Sequence, residues 1–588
     1  MLFFKQYNKI VFERGVLMNN KLYEVKEYRD MREFINNSVT KFPNNVAFTI
    51  KTKAGKEPEY KDITYKEFKK DIDNFGAGLI KLGLSGKRIA VIGKNSYEWS
   101  LTYYTVLSSV GTCVPLDKGL PEQEIEDLLI RSEADAVVFE DVYADTMEKI
   151  FNNKSTKVKH FICKQSVDRA FATTIKAVQE IGAKELKAGN KAVYKTKINP
   201  EAASIILFTS GTTAISKAAL LTQKNLMSDL YGILSAIKVL ETDVNMAFLP
   251  FHHCFGAIGL SVVLGVGAKV VFCDGLRYIA QNLKEYKVTL FFCVPLILES
   301  MHKKIIAEIE KKGLTKKINL VKKLSRFLLK LGIDIRRKVF KAIIDNLGGS
   351  LRLVVSGAAA IDRQVVEDFN TFGILTLQGY GLTETAPVLC VENEKSIRYG
   401  SIGFPLCNVE VKIENPNEDG IGEVIAKGPM VMLGYYNNEE ATNEVLVDGW
   451  FHTGDLGYID KDGYVFLTGR AKNVIVLKNG KNVYPEELEI LIANLPYVLE
   501  NMVFGIPETD DDLTLAVKIV YNEEMFADLS KEEIEKKIWA DIKEINGTLT
   551  TYKHMKKLVI TTEPMVKTTT NKVKRNIEIA KTLEELNS

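Results

Sequence analysis

Short, continuous apolar runs recur along this chain, each closed by turn-forming residues. RIAVIG (88–93), ADAVVF (134–139), ASIILFTS (203–210), VTLFFCVP (288–295) and LRLVVSG (351–357) are the clearest. Such runs are too short for helices. They are also too uniformly apolar for strands with one wet face, so they fit strands buried on both sides. Amphipathic, helix-length stretches lie between them. That alternation predicts an α/β fold built on largely parallel sheets. At 588 residues the chain exceeds what one hydrophobic core can fill, so two or more domains are expected.

The pattern changes twice. From 400 to 468, glycine and aspartate turns separate short strands, which predicts a β-rich subdomain with a hairpin turn at DKDG (460–463). Beyond Arg470, a helix (EELEILIANL), a strand (LAVKIVY) and a charged helix (KEEIEKKIWADIKEI) predict a small α+β domain. The boundary is expected between a large domain, 1–471, and a small one, 472–588.

A net charge of +3 does not suggest a nucleic-acid partner. The seven cysteines form no CxxC pair and sit largely in apolar runs, as buried free thiols of a reducing compartment would. Six histidines, with His252 and His253 adjacent, show no zinc spacing. The longest apolar run, about 255–268, is too short to span a bilayer. The N-terminus lacks a long apolar h-region. A cytoplasmic protein is expected.

The segment IILFTSGTTAISKAALLTQKN reads as a buried strand, a hydroxyl- and glycine-rich loop, and then a helix. Small residues let backbone N–H groups approach phosphate oxygens closely. Thr209, Ser210, Thr212 and Thr213 add hydroxyl donors beside Gly211, and Lys217 adds a mobile cation. The spacing is not that of a Walker loop. On its own the loop reads first as a polar turn after a core strand.

Companion segments change that balance. They are LPFHHCFG (249–256), VVSGAAA (354–360), QGYGLTETAP (378–387), GWFHTGDLG (449–457), LTGRAKNVIVLKNGKNVYPEELE (467–489) and VKTTTNKVKR (566–575). With the loop, and in this order, they resemble the motifs of the adenylate-forming superfamily, over roughly residues 40–580. That superfamily includes acyl-CoA synthetases, aryl-CoA ligases, peptide-synthetase adenylation domains and luciferases.

The resemblance implies roles. Residues 209–213 would cradle the phosphates of ATP and Lys217 would neutralise pyrophosphate. Glu384 would hold Mg²⁺, with Thr383 on the α-phosphate. Gly357, Ala358, Gln378, Gly379, Tyr380 and Gly381 would flank adenine. Asp455 would accept the ribose hydroxyls, and Arg470 would reach the ribose or phosphate. Lys572 would act on the carboxylate and α-phosphate, and His253 would border the acyl group. Lys472 would be the hinge, and Gly480 and Lys481 would line the CoA thiol tunnel in a second half-reaction. The implied cofactors and substrates are ATP, Mg²⁺ and CoA.

The motif carries departures. Ala214, Ser216 and Ala218 replace glycine, proline and glycine, and Asn571 replaces a glycine. A degenerate nucleotide-binding protein is therefore one alternative. An aryl- or medium-chain CoA ligase, or a ligase loading acyl carrier protein, is another.

Residues 303–341 hold fourteen basic against three acidic residues, with Leu320, Val321, Leu324, Phe327, Leu328 and Leu331 at helical spacing. Such a helix suits either an anionic membrane surface or a solvated domain face. The long insert is similar to those of long-chain acyl-CoA synthetases. A long-chain fatty acid substrate and peripheral membrane contact are the expectations drawn from it.

Overall fold

The computed structural model describes residues 20–55, 57–165, 168–209, 216–478, 481–509, 512–527, 529–568 and 572–587. Among these, two mainly parallel sheets dominate the large domain, as the apolar runs predict. One of nine strands has a parallel centre running through Val46–Lys53, Lys269–Phe272, Val244–Ala247, Leu290–Cys293, Leu353–Ser356 and Leu375–Gly381. Its antiparallel edges are Glu59–Thr64 on one side and Val388–Val391 with Phe404–Pro405 on the other. The second sheet, of eight strands, is parallel through Ala172–Thr174, His160–Cys163, Ala136–Phe139, Arg88–Ile92, Thr112–Leu116 and Ala203–Thr209. Strands such as Leu353–Ser356 and Ala136–Phe139 are buried at every residue, which explains why their sequences do not alternate. Helices cover the sheets, and one continuous apolar core joins them.

The sequence places a helix directly after the hydroxyl-rich loop, and the structure corrects this. Lys217–Thr222 is a strand that pairs antiparallel with Ala203–Thr209, so the two strands flank the loop. The helix begins only at Gln223, where Thr222 and Asn225 form a capping box. The apolar run KAALLT finds strand partners on both sides, Gly434–Tyr435 being the other. This burial outweighs the helix preference of its alanines and leucines.

Residues 410–470 form a five-stranded antiparallel sheet: Glu410–Glu414, Gly422–Lys427, Leu446–Val447, Trp450–Ile459 and Val465–Arg470. The last two close through the predicted Asp460 turn, where the Gly463 N–H donates to the Asp460 carbonyl at 2.9 Å. A 3₁₀ turn, Ala471–Asn473, leads into the small domain. There Val498–Thr509, Asp512–Tyr521 and Lys557–Thr561 form a sheet over its own core, with helices Pro485–Ala493 and Lys531–Gly547.

All seven cysteines are free, and five are buried. No helix among the described residues is long and apolar enough to cross a membrane. The apolar stretch 255–268 falls on helix Cys254–Gly265 of the core.

Candidate active site

Loops at the C-terminal ends of the parallel strands and the β-rich subdomain converge on one region. Strand Leu375–Gly381 ends with Tyr380, whose hydroxyl donates to Asp455 Oδ2 at 2.6 Å. Asp455 lies opposite Arg470 across a hairpin, and the Arg470 Nε sits 2.7 Å from its Oδ1. Asp455 is only 6 % exposed, and burial raises its pKa against the opposing pull of Arg470. Burial also lifts the Tyr380 phenol well above its usual range, so it remains a donor. Gly381 has no alternative here: a Cβ would stand 1.7 Å from the Pro387 carbonyl oxygen.

Glu384 sits on the single turn Thr383–Thr385, with its carboxylate accepting from the Tyr435 hydroxyl at 2.7 Å. Lys217 Nζ stands 4.9 Å from the centroid of the same Tyr435 ring. Thr209 Oγ1 donates to the Lys217 carbonyl at 3.2 Å, which fixes the strand ends on either side of the loop. Thr383 Oγ1 receives a weak contact from the Cys254 thiol at 3.7 Å. Tyr435 thus ties the predicted phosphate-side lysine to the predicted metal carboxylate. Sequence reasoning missed it, because GYY carries no chemistry until folding brings it to Glu384.

Gly357 directly follows strand Leu353–Ser356, whose last residue pairs with Gln378 in the middle of strand Leu375–Gly381. Ala358 follows with a left-handed φ of 72° and is exposed, and Gly379 is half-buried. The Gln378 side chain is buried, and its Nε2 has no hydrogen-bond partner among the described residues.

Lys572 comes from the small domain. It is exposed, yet protein packed near its ammonium partly desolvates it. Desolvation there lowers its pKa, Arg470 lowers it further, and Asp455, Cys254 and Glu384 act in the opposite direction. It also acts electrostatically on Lys472 and His253. A residue almost two hundred positions from Glu384 thus joins the same site. Its backbone is held by Lys572 N–H to Thr568 Oγ1 at 3.2 Å and Thr568 N–H to the Lys572 carbonyl at 2.8 Å.

His253 is half-buried, and desolvation pushes its pKa down to about 3, so the ring is neutral. It lines a small apolar cavity of about 10 Å³ with Tyr103, Phe251, Cys254 and Ala257. Lys481 is exposed beside the small hairpin Ile475–Val476/Asn482–Val483. Ser210, Gly211, Thr212, Thr213, Ala214, Gly480 and Asn571 lie outside the described residues. Ser216 is described: Arg131 donates to its carbonyl at 2.6 Å and to its hydroxyl at 3.1 Å.

A fold of parallel sheets with a β-rich subdomain and a small C-terminal domain defines an AMP-binding enzyme, and the chain belongs to that family. The AMP-binding enzyme model matches residues 35–436, and that of the AMP-binding enzyme C-terminal domain matches 472–587. Fatty acyl-CoA synthetase B of Dictyostelium discoideum is 29 % identical over 478 residues, covering 75 % of this chain and 70 % of the relative. A chloroplastic long-chain-fatty-acid–[acyl-carrier-protein] ligase of Arabidopsis thaliana is 24 % identical, covering 89 % and 82 %. The crystal structure of an anthranilate CoA ligase in complex with anthranoyl-AMP superposes with a TM-score of 0.76 at 19 % identity, covering 96 % of this chain and 99 % of that one. At that identity the likeness shows the fold alone.

Proposed function

We propose that the chain activates a carboxylic acid with ATP as the acyl-adenylate, releasing pyrophosphate, and then transfers the acyl group to the thiol of CoA. The observation that carries this reading is the entry of Lys572 into the charged cluster of Asp455, Arg470 and Glu384. An acid oxygen attacking the α-phosphorus builds negative charge, and a long, flexible cation from a separate domain can be brought to it and withdrawn. Asp455 accepts the two ribose hydroxyls, displacing the Tyr380 hydroxyl or sharing with it. The unpartnered Gln378 Nε2 supports a base edge beside strand Leu375–Gly381. Lys217, carried on the Tyr435 ring, faces the departing pyrophosphate.

The residues around Glu384 fit Mg²⁺. A hard cation bound through substrate phosphates needs only one or two protein carboxylates, and Glu384 stands among hydroxyl groups with one oxygen engaged by Tyr435. When bound there, the ion neutralises phosphate charge.

The acid we propose is a long-chain fatty acid, delivered from a membrane. Helix Thr315–Lys330 turns one side to the helix Arg363–Phe372, through Lys322 to Asp368 at 2.6 Å and Arg326 to Glu367 at 2.8 Å. Ile318 and Val321 pack against the core, but other apolar residues lie on the outside: Leu320 is 69 % exposed and Phe327 59 %, with Leu324 and Leu331 beside them. Lys316, Lys317, Lys323 and Lys330 surround these side chains along the helix. Several other basic residues of the insert are committed within the domain, Arg337 to the carbonyls of Leu351 and Gly373 among them. The rest of the face complements an anionic bilayer.

Incubation with ATP, Mg²⁺, CoA and acids of graded chain length, with AMP and thioester detected by mass spectrometry, tests the reading. Acyl-CoA that increases with chain length is expected. No AMP with any acid overturns the ligase, and AMP without thioester points to a carrier-protein acceptor. Flotation with anionic liposomes should be lost in Leu320→Glu/Phe327→Glu. Equal flotation of the wild type and that variant removes the docking face.

A further inference from the structure

One cluster of potential ligands joins His253 to two residues given no role so far, Asp117 and His252. Asp117 follows strand Thr112–Leu116, and its Oδ1 accepts the Gly119 N–H at 2.8 Å, which orients the carboxylate. His252 and His253 sit on the turn before helix Cys254–Gly265. The turn closes through the His253 N–H to the Pro250 carbonyl at 3.2 Å and brings the two rings to 4.3 Å, tilted by 52°. One ligand atom from each of the three residues lies within 4.8 Å of the others.

His252 is 7 % exposed, and its Nε2 lies 3.3 Å from Asp117 Oδ1, yet among the described residues that nitrogen makes no hydrogen bond. A buried ring nitrogen beside a carboxylate with no aligned hydrogen bond is costly and calls for an occupant. In a tetrahedral site with bonds of about 2.0–2.1 Å, ligand atoms stand about 3.3 Å apart, which is the separation of His252 Nε2 and Asp117 Oδ1, and the His253 nitrogen lies within 4.8 Å of both.

We infer that Asp117, His252 and His253 form a binding site for one transition-metal ion of the zinc class. Two imidazoles and one carboxylate suit Zn²⁺, Co²⁺ or Ni²⁺ and leave a fourth position open. Mg²⁺, which takes near-octahedral oxygen ligation, is not accommodated, so the site is distinct from Glu384. The ion would hold His253 at the rim of the apolar cavity it shares with Phe251 and Cys254. It would also add positive charge near Lys572, which acts electrostatically on His253.

The test is a Co²⁺ titration of the full chain followed by visible absorption, without ATP or acid. Its outcome is therefore independent of the ligase reading. One Co²⁺ per chain with strong tetrahedral bands, displaced by Zn²⁺, is expected. Asp117→Asn and His252→Gln should each weaken binding by more than about tenfold, since even outer-shell partners of metal ligands are worth that much. Unchanged far-ultraviolet circular dichroism verifies that both variants fold. Absent binding, binding unaltered in both variants, or thiolate charge-transfer bands from a cysteine would overturn the site.

Discussion

The two halves of the candidate site are held by different means. Asp455 is buried, set in register with Arg470 and bonded to Tyr380, all within the large domain. Lys572 is solvent-accessible on a loop of the small domain. The described contacts of that domain with the large one include single hydrogen bonds, Lys303 Nζ to the Ala493 carbonyl and Asn494 Nδ2 to Asp362 Oδ2, both at 2.8 Å. One half is organised within a single domain, and in the function proposed above the other is delivered by a second domain. Preorganised dipoles cost no rearrangement at the moment of reaction, whereas a delivered cation can leave for a second step.

The largest expected effect separates the halves by reaction step. Lys572→Ala should slow pyrophosphate release by about 10²–10³-fold, the cost of losing one group that meets transition-state charge. Thioester formation from supplied acyl-adenylate should persist, and an equal loss in both steps would break the comparison. Stability should divide the other way. Asp455→Ala leaves the buried Tyr380 hydroxyl and Arg470 without their partner and should cost about 1–3 kcal/mol in denaturant unfolding. Lys572→Ala should stay within about 0.5 kcal/mol of wild type.

A pH profile sharpens the same contrast. The ammonium form of Lys572 is the useful one, and its pKa is lowered in the site. Acid activation should therefore fall on the alkaline side at a pH below the ordinary lysine value of 10.5. Lys572→Arg should remove that limb, and the thioester step should lack it. The smallest effect belongs to Asn494→Ala. It removes an interdomain bond while leaving Asp362 as the cap of helix Arg363–Phe372. A net hydrogen bond of about 0.5–1.5 kcal/mol should change the ratio of the two half-reaction rates by about two- to tenfold.

Much of the fold was legible because strands buried on both faces, such as Val137 and Val354 with their neighbours, leave an unmistakable apolar run. Lys217–Thr222 was not, since its strand character depends on partners at Ala203–Thr209 and Gly434–Tyr435 rather than on local preference. The order of the motifs located Asp455, Arg470, Glu384 and Lys572, and the structure brings these four together. Tyr435 escaped notice, and the adjacent His252 and His253 showed no metal spacing, because Tyr435 gains meaning only from Glu384 and His252 only from Asp117, each distant in sequence. The basic insert was half legible. Its charge was plain, but only the structure separates Lys322, Arg326 and Arg337, committed to the domain, from the lysines around Leu320 and Phe327.

Lys572 is flanked by its own domain's anchors. Lys567 pairs with Glu500, Arg575 with Glu489, and the fully buried Lys518 with Glu578 of the terminal helix. The lysine is therefore carried on a part tied together by its own ion pairs, and its aim depends on the joint at residues 471–473 together with the few contacts across the domains. Linker length then becomes a tuning parameter: one residue added at that joint would shift Lys572 relative to Asp455 and Glu384 while leaving those ion pairs in place.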